Sequence, residues 1–432
     1  MLAPRLARHW FEAGERGRAF LASLAAAGAA ERQSAYAEAA THFDRALDLW
    51  SEAGAVTRDV DRASVLERAM WASFLAADFD DAIAHGFAAL DALGLVPDRS
   101  RQIRILDTIE RAEGRAAVDE PRGLSIAAEM SPRGLRPIDR MWLRSLHSLH
   151  LLERGDLPGA KSIAEPLLAE AESSGDVELQ IHVNEVLAIE VAPSDPQRAL
   201  DLLERARRAA ADADDAIRLT EIEVTAGRIM LEHQFYERLR ATMPAAIERA
   251  GRSGLGRWAR PEMHYLLAHA CMIDGELQRS WEQVELGRTD MPVGTVRAQL
   301  EIIGALVSTA MGEFAQAADC LEASRFPNST PEAELARGWL ATARAELALA
   351  ERRFDDVASI VNATAPIVVQ IGAYTSMTDT IWSLAEVGLA AAAEQAEQAR
   401  AANDAEALKS MPATVERMTG WVADAHHQRD AA

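Results

Sequence analysis

Only two cysteines, Cys271 and Cys320, stand in this chain, and neither belongs to a C-x-x-C pair. A disulfide framework and a thiolate zinc site are thereby excluded, and both residues read as small core side chains of a reducing compartment. Aromatics are scarce at 5%, and the Val/Ile/Thr/Tyr runs that announce strands are missing. No run of ~18 uncharged apolar residues is present to cross a bilayer. The stretch from Met1 to Phe20 carries arginines, a histidine and acids throughout, unlike a signal peptide. The expectation is a soluble, cytoplasmic protein without a membrane partner. Positive charge is also short: 45 Lys and Arg face 67 Asp and Glu, a formal net charge of -22. Such a surface repels phosphate backbones, so direct nucleic-acid binding is not expected. The densest basic group, Arg205, Arg207 and Arg208, reads as a solvated helix face.

What the chain has instead is alanine and a helical period. Hydrophobic residues make up 49%, and much of that is alanine, which favours helix and close helix packing. In Gln33 to Trp50, apolar residues fall at Tyr36, Ala39, Ala40, Phe43, Ala46, Leu47 and Trp50. That i, i+3, i+4, i+7 spacing puts one apolar stripe on one helix face, and Tyr36, Phe43 and Trp50 are packing residues on this reading. The opening pattern is a bulky residue with small or apolar partners three and four places on. It returns at Phe79, Pro121, Leu157, Pro196, Phe235, Leu277, Phe314 and Phe354, with a mean period near 40 residues. The copies at Pro121 and Phe235 are poor, with Arg122 and Arg238 intruding.

Each anchor opens a second helix, and a first helix precedes it, as over Arg62 to Ala77, Ile138 to Glu153, Thr295 to Met311 and Glu332 to Ala350. Short turns with Gly, Asp or Glu separate the two, as at Gly155, Gly275 and Gly312. First helices start behind a capping residue or a proline, as at Asp176, Pro261 and Pro331. A helix–turn–helix unit at this period is the signature of an α-solenoid, in which each pair buries its apolar face against its neighbours. The pattern resembles tetratricopeptide repeats with a longer, looser period. The small residue lets two helices cross closely, and the bulky anchor fills the gap to the next pair. The expected fold is all-α, a right-handed α-solenoid of about ten such pairs spanning 1–432 as one domain. Residues 1–32 form an N-terminal helix pair broken at Gly14, 33–371 the regular repeats, and 372–432 a degenerate repeat and cap. In that last part, Tyr374 to Ala393 reads as a first helix, Glu394 to Lys409 as its partner, and Pro412 opens a short helix through Trp421. The repeat loosens at Asp119 to Gly123 and at Ser324 to Pro331.

Chemistry is thinly represented. Gly155 to Ser162, GDLPGAKS, matches a phosphate-binding loop except that Ala160 replaces the second glycine, and a helix, not a strand, precedes it. Lys161 and Lys409 are the only lysines, so no other lysine of that kind exists. His147 and His150 are spaced to share a helix face, while His264 and His269 are five apart; neither pair has an acidic or Cys partner that would complete a metal site. His426 and His427 fall in a terminal tail. The acids Asp78, Asp80 and Asp81, and Asp212, Asp214 and Asp215, read as caps and solvated turns, since no calcium-loop pattern surrounds them. No G-x-S-x-G, H-E-x-x-H or strand-borne G-x-G-x-x-G occurs. No catalytic, metal or cofactor residue is assigned. Nine tryptophans, among them Trp71, Trp142, Trp281, Trp339 and Trp382, read mostly as core wedges, with one or two free to anchor a partner.

Leu6 to Trp50, LARHWFEAGERGRAFLASLAAAGAAERQSAYAEAATHFDRALDLW, resembles the segment that follows the nucleotide-binding core in large ATP-binding regulators of the LuxR type, the STAND class. There, a phrase of the form L-A-x-H-W…A-G…A-L-x-L-W opens a helical sensor region. The other two parts of that family are missing: no phosphate-binding loop precedes the match, and Met411 to Ala432 has no LuxR-type helix-turn-helix run. The resemblance therefore implies a non-catalytic sensing or interaction segment. It would receive a protein, a peptide or a small inducer in its concave groove, with an ATPase core or DNA-binding domain on another chain. Two other readings stand beside it: a helical metal- or small-molecule-dependent enzyme using His147 and His150 or His264 and His269, and a truncated remnant with no independent activity.

Overall fold

The computed structural model describes residues 2–94, 98–116, 118, 121–292, 294–324, 331–371 and 378–431. Apart from turns, these residues are helical. Helix α1 (Leu2–Glu12) comes first, and ten pairs follow in chain order. They are α2 (Arg16–Glu31) with α3 (Tyr36–Asp48), α4 (Arg62–Leu75) with α5 (Phe79–Leu93), and α6 (Arg99–Ala116) with α7 (Gly123–Glu129). Next come α8 (Pro137–Glu153) with α9 (Leu157–Ser174), α10 (Val177–Val191) with α11 (Pro196–Asp212), and α12 (Ala216–Glu232) with α13 (Tyr236–Arg252). The series continues with α14 (Gly256–Ile273) and α15 (Leu277–Thr289), α16 (Gly294–Met311) and α17 (Phe314–Ala323), and α18 (Pro331–Ala350) and α19 (Phe354–Ile371). The last pair is α20 (Thr378–Ala401) with α21 (Ala405–Ala431). The chain divides into two compact units, Met1–His233 with Ala241–Met263, and Gln234–Arg240 with His264–Ala432. No helix of the described residues is long and apolar enough to cross a membrane.

The anchors mark the second helices. Tyr36, Phe79, Leu157, Pro196, Leu277, Phe314 and Phe354 are each the first residue of one. The two poor copies slip: α13 starts one residue after Phe235, so that Leu239, fully buried, takes the inner position instead of Arg238. Helix α7 starts two residues after Pro121, because the Glu113 carboxylate accepts hydrogen bonds from the backbone N–H of Arg122 (2.9 Å) and Gly123 (2.8 Å) and so caps it from α6.

The expected role of the bulky anchor needs correction. Leu157 and Phe314 are exposed, and most other anchors are only half-buried. The closed position is the small residue three places on: Ala39, Ala82, Ala160, Ala199, Ser280 and Ala317 all have 0% exposure. There the helices of a pair approach so closely that Ser148 Oγ reaches the Ala160 carbonyl (2.8 Å) and Ser280 Oγ the Ala268 carbonyl (2.7 Å). Eight of the ten turns inside the pairs share one device, a residue with positive φ, at Ser34, Ala77, Gly155, Gln234, Gly275, Gly312, Arg352 and Asn403. Glycine fills only three of those eight positions, so glycine spacing alone understates how regular the turns are.

Two further boundaries differ from the sequence reading. Pro261 lies inside α14, which begins at Gly256, because burial of Trp258 and Ala259 holds an extra turn ahead of the proline. Glu394 to Lys409 is not one helix: α20 runs to Ala401, and α21 starts behind Asp404, whose carboxylate accepts from the N–H of Glu406 (3.1 Å) and Ala407 (3.0 Å). Pro412 then sits within α21 and opens no new helix. A proline there removes one internal hydrogen bond, and the helix is held beyond it by Met418, buried in the core of α18–α20. Of the two expected loosened joints, residues 119–120 and 325–330 lie outside the described residues, as does Tyr374.

Two glycine substitutions separate backbone strain from crowding. Gly275 has φ 75° and open space where a Cβ would stand, so Gly275→Ala is expected to cost about 1 kcal/mol through the backbone alone. At Gly86 a Cβ would meet Ile109 Cγ1 at 2.6 Å, so Gly86→Ala is expected to cost about 1–3 kcal/mol through overpacking. Thermal unfolding of both variants checks this; an unchanged midpoint for Gly86→Ala would refute the close packing of α5 on α6.

Candidate functional site

The residues singled out for chemistry are placed as structure. Gly155 turns from α8 into α9, Asp156 accepts the Gly159 N–H (2.9 Å) as a helix cap, and Ala160 is buried. Lys161 lies 3.8 Å from Glu165 on the surface of α9, so the segment forms a helix start and not a phosphate cradle. Arg207 and Arg208 bind Glu204 (2.7 and 3.0 Å) and Arg205 pairs with Glu172, a solvated ion-paired face as expected. Asp215 caps α12 through the Arg218 N–H (3.0 Å), and Asp80 and Asp81 sit in the first turn of α5. The two thiols are free and buried; burial pushes both up, and Cys320 Sγ lies 3.1 Å from Arg288 Nη2.

The histidines are packing groups. His147 Nε2 contacts the Ala127 carbonyl (2.8 Å), tying α8 to α7. His150 is half-buried, and burial lowers its pKa. His264 Nδ1 meets Gln283 Oε1 (2.9 Å). His269 sits edge-on against Trp339, with ring centroids 4.6 Å apart, and burial depresses it to about 4. No group of three His, Cys, Asp or Glu among the described residues is placed to hold a metal ion. His426 and His427 have side chains outside the described set.

Sequence reading missed the main polar feature of the first unit. On α6, Arg104, Asp107, Arg111 and Arg115 form one stripe at helical spacing, and other first helices meet it. Arg104 stacks on Trp142 of α8 (3.8 Å to the ring centroid) and pairs with Glu178 of α10 (3.1 Å). Arg111 lies over Trp71 (5.2 Å) and Phe74 (5.3 Å) of α4 and pairs with Glu221 of α12. Arg115 lies over Trp258 (4.4 Å) and pairs with Glu262 (3.0 Å), both on α14; Arg228 of α12 pairs with Glu262 as well. At the centre, Asp107 stands 3.6 Å from Arg111, 3.6 Å from Arg218 and 3.7 Å from His182. Burial opposes the Asp107 charge, but His182 and the surrounding arginines outweigh it and hold the carboxyl below its usual range. Burial, with Arg218 adding, lowers Arg111 to about 10, still a cation at neutral pH. His182, stacked on Trp142 at 4.7 Å, is depressed to about 4 by burial and stays neutral. Its alternation of Arg and acid on α6 was legible, but nothing local said that this stripe faces other helices instead of water.

A second buried pair lies between α8 and α10. Ser148 Oγ is 2.5 Å from Glu190 Oε1 and 2.8 Å from the Ala160 carbonyl. One hydroxyl hydrogen serves only one of two acceptors. The arrangement closes if Glu190 is protonated and donates to Ser148 Oγ, and burial does push this carboxyl up to about 7. An open cleft of about 1030 Å³ is walled by Arg136 ahead of α8, Ile138 and Met141 of α8, and Ala169, Glu170 and Ser173 of α9. In the second unit, α18 carries Trp339 and Glu346, both half-buried, with Trp339 packed on the core of α16 to α18, and α20 carries the exposed Trp382 and Glu386.

Comparison of this geometry with solved structures gives the fold. A Rap protein complexed with competence and sporulation factor is similar over 84% of this chain and 99% of its own, with a TM-score of 0.53 and 11% identity. The chain is a tetratricopeptide-like α-solenoid. More distant likenesses include the Rap conjugation regulator of plasmid pLS20 with the Phr* peptide (TM-score 0.45, 11% identity, 85% and 96% covered) and yeast Tom70 (TM-score 0.28, 15% identity, 93% and 98% covered). No protein-family model and no curated protein matches the sequence. At these identities the solenoid likeness speaks for fold alone.

Two predictions follow from the buried charges. Glu262→Ala strands Arg115 and Arg228, and is expected to cost about 3–5 kcal/mol, read as a loss of thermal stability of the first unit. Glu190 has a folded pKa near 7 against 4.5 unfolded, so its stabilising proton is fully held below pH 4.5 and lost as pH rises through 7. Glu190→Gln, a permanent mimic of the protonated form, should therefore gain on the order of 3 kcal/mol over wild type at pH 8 and nothing at pH 4.5. His182 works in the opposite sense: with a folded pKa near 4 against 6.5, it weakens the fold as pH drops from 6.5 toward 4. Unfolding curves of wild type and Glu190→Gln across this range check the sign, and equal pH dependence in the two would refute the protonated pair.

Proposed function

We propose that this chain is a non-catalytic protein-interaction scaffold, and that its place is the signal-sensing or interaction part of a LuxR-type (STAND class) regulator. The observation that carries the scaffold reading is the division of labour between helices. Second helices close the core through a small residue, whereas first helices carry the stripes of Trp, Arg and acid that polypeptide recognition uses. The Rap protein of similar fold is complexed with competence and sporulation factor, which supports a protein or peptide as the partner here. In the first unit the stripes of α6, α10, α12 and α14 already satisfy one another through ion pairs, so a partner there must compete with the chain's own arginines.

The regulator half rests on Leu6 to Trp50, which builds α1, α2 and α3. Several matched residues of that phrase, Ala7, Ala46 and Leu49, are buried, so the resemblance resides in packing. It speaks for a shared scaffold more than for a shared ligand. The partners consistent with it are an ATP-binding core or a helix-turn-helix protein on another chain. Affinity capture from the host with the tagged full chain, read by mass spectrometry against a tag-only bait, tests both halves. The expected result is a specific protein bearing one of those two modules. No specific protein would overturn the scaffold reading, and specific partners that all lack both modules would overturn only the regulator half.

A further inference from the structure

Two turns that lie far apart in the chain touch backbone to backbone. Ser34 turns α2 into α3 with φ 54°, and Gly254 turns α13 toward α14 with φ 75°. A Cβ on Gly254 would stand 2.6 Å from both the Cβ and the carbonyl oxygen of Ser34. Gly14, Gly175, Gly275 and Gly312 share the positive φ, and a Cβ on any of them would meet nothing within 4 Å. Those four glycines answer only the demand of the backbone. Gly254 also makes room for a neighbour, and its own exposure puts the contact at the rim of the first unit.

The start of α14 carries the contact inward. Trp258 packs on Phe74 of α4, with ring centroids 6.0 Å apart, and Arg115 of α6 lies over its ring at 4.4 Å. Glu262, one turn further on, pairs with Arg115 (3.0 Å). In a solenoid each repeat meets its neighbours in the chain. Helix α14 follows α13, yet the residues at its start reach the α2–α3 turn, α4 and α6. The first unit is thus closed on itself with the α6 stripe inside, where the side chains of Asp107 and Arg115 are only 5% and 18% exposed.

This closure depends on few groups. The stacked pairs are held by continuous apolar clusters running through α2 to α10. The closing contact consists of one backbone approach, one aromatic pair and one buried ion pair whose attraction desolvation largely offsets. Contacts that few give way before the stacked pairs do, as a local opening and not as unfolding. We propose that the contact is an autoinhibitory clasp: the first unit opens at Ser34 and Gly254, Trp258 and Glu262 withdraw from α4 and α6, and Arg115 is uncovered for a partner. Its regulatory sense rests on the scaffold reading, whereas the clasp itself is measurable without any partner.

The test compares two variants of the full-length chain, Gly254→Ala and Gly175→Ala. Both put a Cβ on a residue of positive φ, and only the first drives it into Ser34. Hydrogen exchange is read at the α2–α3 turn and in α4, both remote in sequence from either substitution. It is expected to rise about tenfold there in Gly254→Ala and to stay at the wild-type rate in Gly175→Ala. Phenylglyoxal, which modifies accessible guanidinium groups, should label Arg115 roughly fivefold faster in Gly254→Ala than in wild type, with the exposed Arg8 as internal standard. Exchange that is unchanged at the turn and in α4 would overturn the clasp. So would a rise of the same size in α8 and α9, which reports loosening of the whole unit, or equal labelling of Arg115 in the three proteins. If Gly254→Ala does not fold, Trp258→Leu takes its place, since it removes the ring contact without straining the backbone and must give the same pattern. Neither readout involves a partner, so failure here removes the clasp and leaves the scaffold reading standing.

Discussion

Close approach of two helices within each pair is the constraint from which the rest follows. A side chain at the crossing point keeps the axes apart, so the crossing favours small residues; six Ala or Ser at this position, and Val357 in α19, have no exposure at all. Once the pair is closed there, its remaining apolar stripe must be covered by the next pair, and stacking is the solution. The bulky residue that opens each second helix is secondary. It starts the helix, and its burial varies with whatever lies alongside.

The first unit carries a polar layer beside its aliphatic core. Five arginines on α6 and α12 face acids from α6, α10, α12 and α14, with aromatic rings beneath three of them. Ion pairs of this kind add little net stability over an apolar packing, because desolvation opposes the attraction. What they supply is register: a guanidinium stacked on a ring and bonded to a carboxylate has one position, so α6 is fixed relative to α12 and α14 more sharply than a greasy contact would fix it.

Most of the helix order was legible because it depends on local rules. Seven of nine anchors coincide with helix starts, since the i, i+3, i+4 pattern is the pattern of a helix that must be buried on one side. The failures have identifiable causes. Pro261 and Pro412 look like starts because proline favours a first turn, but neighbouring burial held helix on both sides of them. Helix α7 is displaced by Glu113, a residue of the preceding helix. The acidic and basic stripe on α6 went unread, because on a single helix a face toward water and a face toward opposite charges look alike.

The amino-acid sequence by itself determined that the chain is helical, paired and repeated, because spacing, alanine content and turn residues act over a few positions and need no distant partner. It also determined the acidic balance and the small-residue crossings. Tertiary structure alone decided which charges are buried. Arg115 and Glu262 are 147 positions apart, and only the winding of the helix pairs brings them within 3.0 Å. Long-range charge pairing depends on where helices return in space, and no local pattern records that.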